Sequence, residues 1–155
     1  MNFRGGPVLG IESSCDETSA AVVSEGRVTG HVILSQDAHA VFGGVVPEIA
    51  ARQHLVHIDG VVAQTLDEAG IRPGDLAGVG VTAGPGLVGA LLVGLNWAKG
   101  FGYALGLPVV GVHHMEAHLY ANSIESPEAT PPFVALLVSG GHTLLLHAPE
   151  WGTYE

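Results

Sequence analysis

Basic residues and cysteine are what this sequence has least of. Five Lys and Arg stand against fifteen acids, a formal net charge of -10. Gripping nucleic acid requires clustered cationic side chains to neutralise phosphates, so the chain is not expected to hold nucleic acid by itself. A single cysteine, Cys15, excludes an internal disulfide framework and suits a reducing cytosol. Long uninterrupted apolar runs are missing too. The most apolar stretch, from Leu87 to Leu107, is broken by glycines and carries Asn96 and Lys99, so it reads as a buried helix rather than a membrane span. The N-terminus "MNFRGGPVLGIESS" has no apolar core of the signal-peptide kind. A soluble, cytoplasmic protein without a membrane segment is the expectation.

Apolar residues make up 47% of the chain and charged ones only 13%, with 23 glycines among 155 residues. Such a composition excludes disorder and points to a tightly connected α/β domain, or part of a larger one. Three strands are expected first: Val8 to Glu12, Ser19 to Ser24 and, after the Glu25-Gly26 turn, Val28 to Leu34. A helix follows the glycine loop before Pro47, a residue suited to a first helical turn, and stops at Gly70. Leu55, Ile58, Val62, Leu66 and Ala69 recur at helical spacing and predict its apolar face, with His54 and His57 on the surface. "AGVGVTAGPGLVGALLVGLNWAKGFGYALGLP" reads as strand, glycine loop and helix, with Trp97 and Tyr103 as packing residues. "VVGVHH" is a short strand and "MEAHLYANSIE" a helix. A Pro-rich linker over 126–132 then separates a first unit, 1–125, from a hairpin over 133–155. That hairpin, "FVALLVSGGHTLLLHA", echoes "VLGIESSCDETSAAVV": strand, serine-led turn, strand. The echo suggests a duplicated architecture, of which the second copy stops after its first hairpin.

Candidate chemistry gathers at the strand ends. In "GVHHMEAHLYA", His114 and His118 are four residues apart, so on a helix both imidazoles project from one face. Either the pair ligates a metal ion, with further donors from elsewhere, or it is two hydrogen-bonded histidines on a packed helix. The zinc-protease signature needs a glutamate directly after the first histidine. Here Met115 holds that place, and Glu116 lies about 200° around the helix from His114. Zinc-protease chemistry therefore fails on geometry. His113, displaced from the pair's stripe, suits an orienting or substrate-facing role. The turn "SSCDET" offers Ser13, Ser14, Thr18 and successive backbone N–H groups to a phosphate, with Glu12 and Asp16 able to hold a cation beside it. "AGPGLVG" aims a helix N-terminus at whatever binds there, or simply packs strand against helix. Together with "SGGHT" these turns suggest a nucleotide cleft between two lobes. No base is identifiable beside Cys15, so an inert thiol is expected.

Five motifs in order, "GIESSCDETSAAVV", "GGVVPEIAARQH", "TAGPGLVGALLVG", "VHHMEAHLYA" and "LLVSGGHT", resemble the TsaD family, once called glycoproteases, over residues 7 to 147. The resemblance implies an actin-like, sugar-kinase-like (ribonuclease H-like) ATPase lobe, with the first hairpin of a second such lobe. It also implies an acyltransferase that moves a threonylcarbamoyl group from threonylcarbamoyl-AMP to N6 of adenosine 37 in tRNA. His114 and His118 match the family's metal ligands, for one divalent ion, iron or zinc. Leu137, Val138, Ser139, Gly140 and Gly141 match its substrate-binding loop, and Ser13, Ser14, Asp16 and Thr18 its phosphate-side loop. Glu12 and His113 are the candidate catalytic groups. Implied ligands are ATP or threonylcarbamoyl-AMP. Implied partners are tRNA, an actin-like partner subunit and the small ATPase of the same modification machinery. A later aspartate ligand of the family has no counterpart before Glu155, so little transferase activity, and self-association through exposed apolar surface, are expected of the chain alone. A non-catalytic actin-like partner module and a related carbamoyltransferase are the alternative readings.

Overall fold

A computed structural model describes residues 5–139 and 143–155. The chain divides into two compact units, residues 1–114 and 115–155.

The first unit is a mixed five-stranded sheet in the order β3-β2-β1-β4-β5. Strands β1 (Val8–Glu12), β2 (Glu17–Ser24) and β3 (Arg27–Ser35) form an antiparallel meander, as their alternating apolar pattern and the Glu25-Gly26 turn demand. Strands β4 (Gly78–Gly84) and β5 (Val109–His113) join it in parallel, β4 beside β1. The long connections that parallel pairing requires are helices α1 (Pro47–Ala69) and α2 (Val88–Leu105). Leu9, Ile11, Ala20, Val22, Val79 and Val81 point from the sheet into one core with Ile58, Val61, Val62 and Leu66 of α1 and Ala98 of α2. Gly30 lets α1 approach β3 closely, since a Cβ there would fall on the carbonyl of Thr65. Helix α1 starts at Pro47 and ends on Gly70, whose left-handed φ of 66° lets its N–H cap the carbonyl of Asp67.

Three side-chain expectations are overturned. The inward stripe of α1 is Ala50, His54, Ile58, Val61, Val62, Thr65 and Leu66, so His54 is fully buried (0% exposed) and Leu55 is 67% exposed. Ile58, Val62 and Leu66 belong to either stripe, but the sheet supplies hydrogen-bonding partners for an imidazole at position 54. Hydropathy had favoured the leucine. Leu55 instead lines a shallow groove between α1 and α2, with Leu92, Val93 and Trp97. Trp97 does pack, stacked on Phe101 at 4.7 Å and donating to Asp59 at 2.6 Å. Tyr103 does not: it is 92% exposed, because the inward positions around it go to Ala98 and Gly102.

The second unit holds the remainder of helix α3 (His114–Glu125) and the antiparallel pair β6 (Phe133–Val138) and β7 (Thr143–Ala148). Within it, Trp151 meets the rings of Tyr120 and Phe133 at 5.0 and 5.5 Å, and the Tyr154 hydroxyl donates to Glu116 at 2.9 Å. Val134, Leu136, Val138 and Leu145 are exposed apolar residues of the hairpin. Among the described residues, no helix is long and apolar enough to cross a membrane.

Candidate functional site

The carboxyl ends of β1, β4 and β5 meet at one edge of the sheet, and the side chains found there are polar. Glu12 ends β1. Its Oε2 accepts from the Thr82 hydroxyl of β4 at 2.6 Å and lies 3.0 Å from Nδ1 of His114, and its Oε1 accepts from the backbone N–H of Ser14. Burial raises the cost of a charge on Glu12. The hydrogen bonds from Ser14, Thr82 and His114 outweigh that cost and hold the carboxyl below its ordinary range. Glu12 is therefore an ionised acceptor, and a carboxylate can only accept, which places a proton on Nδ1 of His114. The Ser14 hydroxyl stands 3.3 Å from the same nitrogen.

The turn between β1 and β2 is fixed on both sides. Toward α2, the Ser13 hydroxyl donates to the Ala90 carbonyl at 3.0 Å and the Leu87 N–H to the Ser14 carbonyl at 2.7 Å. Gly86 and Gly94 make this approach feasible: a Cβ on Gly86 would stand 2.7 Å from Ser14, and one on Gly94 would fall on the Ser13 hydroxyl. Toward α1, Thr18 Oγ1 lies 2.7 Å from Nδ1 of His54, and the imidazole's Nε2 is 3.1 Å from the Cys15 carbonyl. Ser13, Ser14 and Thr18 are buried, and Asp16 is half-buried. Cys15 is exposed; desolvation and the neighbouring Asp16 and Glu17 push its thiol up to about 11. Such a thiol carries almost no thiolate at neutral pH.

Of the predicted site residues, the structure brings Glu12, Ser14 and His114 into direct contact, places Ser13 and Asp16 on the same turn and puts Thr18 at the start of β2. His113 ends β5 and is exposed. His118 is exposed on α3, four residues after His114. In the second unit Leu137 is half-buried, and Val138 and Ser139 are exposed at the end of β6; Gly140 and Gly141 lie outside the described residues. Sequence reasoning missed Thr82, His54, Gln36 and His39. For Thr82 the signal was a lone hydroxyl in the apolar strand "GVGVTAG". For His54 it was the Ala50–His54–Ile58 spacing.

The site's residues are compatible with a metal ion. An imidazole whose Nδ1–H is held by a carboxylate has its tautomer and ring orientation set for ligation through Nε2, the usual arrangement behind a metal-bound histidine. Among the described residues no cluster of three or more His, Cys, Asp or Glu is poised to hold a metal, so His114 and His118 would be only part of a ligand set.

Known proteins supply the family. The model for TsaD, tRNA N6-adenosine threonylcarbamoyltransferase, matches residues 27–155. The chain belongs to the TsaD family. It is 59% identical to a tRNA N6-adenosine threonylcarbamoyltransferase of Gemmatimonas aurantiaca, over 96% of this chain and 43% of that protein. The chain thus spans less than half the length of this TsaD relative. Among solved structures, YeaZ from Pseudomonas aeruginosa is similar with a TM-score of 0.62 at 19% identity, covering 97% of this chain and 66% of that one. The Aquifex aeolicus PPX-GPPA enzyme is similar with a TM-score of 0.51 at 12% identity, over 97% and 51%. Those likenesses identify the fold alone: this TsaD-family chain has the actin-like α/β fold.

Proposed function

We propose that this chain serves in the transfer of a threonylcarbamoyl group from threonylcarbamoyl-AMP to N6 of adenosine 37 of tRNA. Support comes from the family match, and from one feature of the geometry above all: Glu12, Ser14, Thr82 and His114 interlock at the strand ends beside the start of α2. On this reading residues 1–125 are the first lobe with its metal-binding helix, 126–132 a linker, and 133–155 the opening hairpin of a second lobe.

The phosphate of the donor is assigned to the Ser13–Thr18 turn, where the start of α2 favours negative charge. Leu137 to Gly141 are assigned to the donor's remaining surface. His114 and His118 would hold one divalent ion, iron or zinc, with donors from beyond this pair. When bound, such an ion supplies Lewis-acid polarisation and a template for the donor's oxygens. Glu12 keeps its negative charge and fixes the imidazole of His114, which makes it an orienting group rather than a proton donor. His113, exposed at the end of β5, is assigned to the acceptor side. Holding donor and amine together accounts for the rate chiefly through positioning.

Five basic residues against fifteen acids leave tRNA affinity to partners, which we assign as an actin-like subunit and the small ATPase of the same machinery. The cytoplasm is the corresponding location. The exposed Val134, Leu136, Val138 and Leu145 support self-association of the 155-residue chain, and a monodisperse monomer in sedimentation would count against it. The test of the function is transfer of labelled threonylcarbamoyl to tRNA by the protein with its partner subunits. Label at N6 of adenosine, lost in His114→Ala, is the expected result; label reaching only small-molecule acceptors would refute it. The 155-residue chain alone is expected to transfer little.

A further inference from the structure

Two histidines with no part in the transfer reading, His39 and His54, are buried beside the Glu12–Thr18 segment and stand on either side of one glutamine, Gln36. His54 occupies a core position of α1 between Ala50 and Ile58, where an apolar side chain would avoid desolvating an imidazole. Both of its nitrogens are engaged. The Cys15 carbonyl can only accept, so the proton sits on Nε2 and is donated to it over 3.1 Å, while Nδ1 accepts from the Thr18 hydroxyl at 2.7 Å. One imidazole therefore grips the same turn at two points. Behind it, the Gln36 side-chain amide donates to the Ala50 carbonyl at 3.3 Å and its nitrogen packs 3.4 Å from Nε2 of His54, donor beside donor, while its oxygen accepts from Nε2 of His39 at 2.9 Å. The backbone of Gln36 donates to the Asp16 carbonyl at 3.0 Å, and Nδ1 of His39 accepts from the Val46 N–H at 3.3 Å. The network runs from the residue before α1 to two consecutive carbonyls of the turn.

Fixing a carbonyl fixes its peptide plane. In a trans peptide the C=O and the following N–H point in opposite directions, so a Cys15 carbonyl held toward His54 aims the Asp16 N–H away from α1. The other anchors, from α2 on the Ser13 hydroxyl and Ser14 carbonyl, from Glu12 on the Ser14 N–H and from Gln36 on the Asp16 carbonyl, leave the Cys15–Asp16 peptide to His54.

We propose that His54 is a positioning residue for the acyl donor: through the Cys15 carbonyl and the Thr18 hydroxyl it orients the turn that receives the donor's phosphate, with Gln36 and His39 as its support. The proposal rests on the transfer reading, which assigns that phosphate to Ser13–Thr18.

The test compares His54→Gln, His54→Leu and Thr18→Val with the unaltered protein, assembled with its partner subunits. The glutamine amide can replace the Nε2–H donor; leucine cannot. His54→Leu is expected to raise the KM for threonylcarbamoyl-AMP roughly tenfold, the effect of one buried hydrogen bond, with a smaller change in kcat. His54→Gln is expected to recover most of that loss. Backbone amide exchange across residues 14–18 should rise in His54→Leu and Thr18→Val beyond the change in the rest of the sheet. An unchanged donor KM, no rescue by glutamine, or exchange that rises uniformly with lost stability would each overturn the proposal and leave His54 a core residue. If the unaltered protein transfers nothing to tRNA, the transfer reading fails instead. AMP affinity and turn exchange in the same variants then decide the role of His54, and no change in either refutes it.

Discussion

Oε2 of Glu12 lies within 2.6 Å of the Thr82 hydroxyl and 3.0 Å of the His114 imidazole, so one carboxylate oxygen ties β1 and β4 to the first residue of α3. Glu12→Gln tests that relationship with little change of shape. An amide offers one acceptor where the carboxylate offers two, and its NH2 would face existing donors. A loss of about 2 kcal/mol in chemical denaturation is expected, in the range for hydrogen bonds to charged groups. Metal affinity, if His114 is a ligand, should fall roughly 10–100-fold through loss of its orienting carboxylate.

Metal binding itself is checked by mass spectrometry of the purified protein beside His114→Ala and His118→Ala. Bound iron or zinc diminished in both variants is the expected outcome. Loss in neither would remove the pair from the ligand set. Because two imidazoles make an incomplete site, a chelator should strip the 155-residue chain readily.

Two glycines of α2 should respond oppositely to alanine. A Cβ on Gly94 falls on the Ser13 hydroxyl, whereas one on Gly100 meets nothing within 4 Å. Gly94→Ala is expected to destabilise by about 1–3 kcal/mol through overpacking. Gly100→Ala should stabilise by about 0.5–1 kcal/mol through lower entropy of the unfolded chain. Thermal melts of the two variants check both signs.

Stability should fall with acid through His54. Burial drives its value down; Glu12 and Asp16 favour its protonation, and His39 opposes it. In the unfolded chain the group takes a proton near pH 6.5. Below that pH the unfolded state binds more protons than the folded one, so stability drops as pH falls from about 6.5 toward the depressed folded value. The slope from one such group is at most about 1.4 kcal/mol per pH unit. Denaturation midpoints from pH 8 to 5 should show this component in the unaltered protein and lack it in His54→Gln.

The Cys15 thiol should be slow despite its exposure. A value pushed to about 11, against 9.0 for an ordinary thiol, leaves about a hundredfold less thiolate at neutral pH. Alkylation by iodoacetamide should lag well behind that of free cysteine, and Asp16→Asn should accelerate it. Fast modification of the unaltered thiol would contradict the environment described.

The order of elements was legible in the sequence because each is encoded locally. Alternating apolar residues and the Glu25-Gly26 turn dictate the meander, Pro47 and Gly70 bound α1, and the glycine loop before Val88 admits α2. The motifs that carry the family, and with them Glu12, the serine turn and the i,i+4 histidines, also stand in the linear chain. Tertiary structure alone decided which groups meet across it. Thr82 reaches Glu12 from 70 residues away and His114 from 102, because parallel pairing of β4 with β1 and β5 brings their ends to one edge. It likewise decided that His54 rather than Leu55 faces inward. Helical periodicity fixes the width of a buried stripe but leaves its phase to the partners packed against it, and here the partners are the Cys15 carbonyl and the Thr18 hydroxyl.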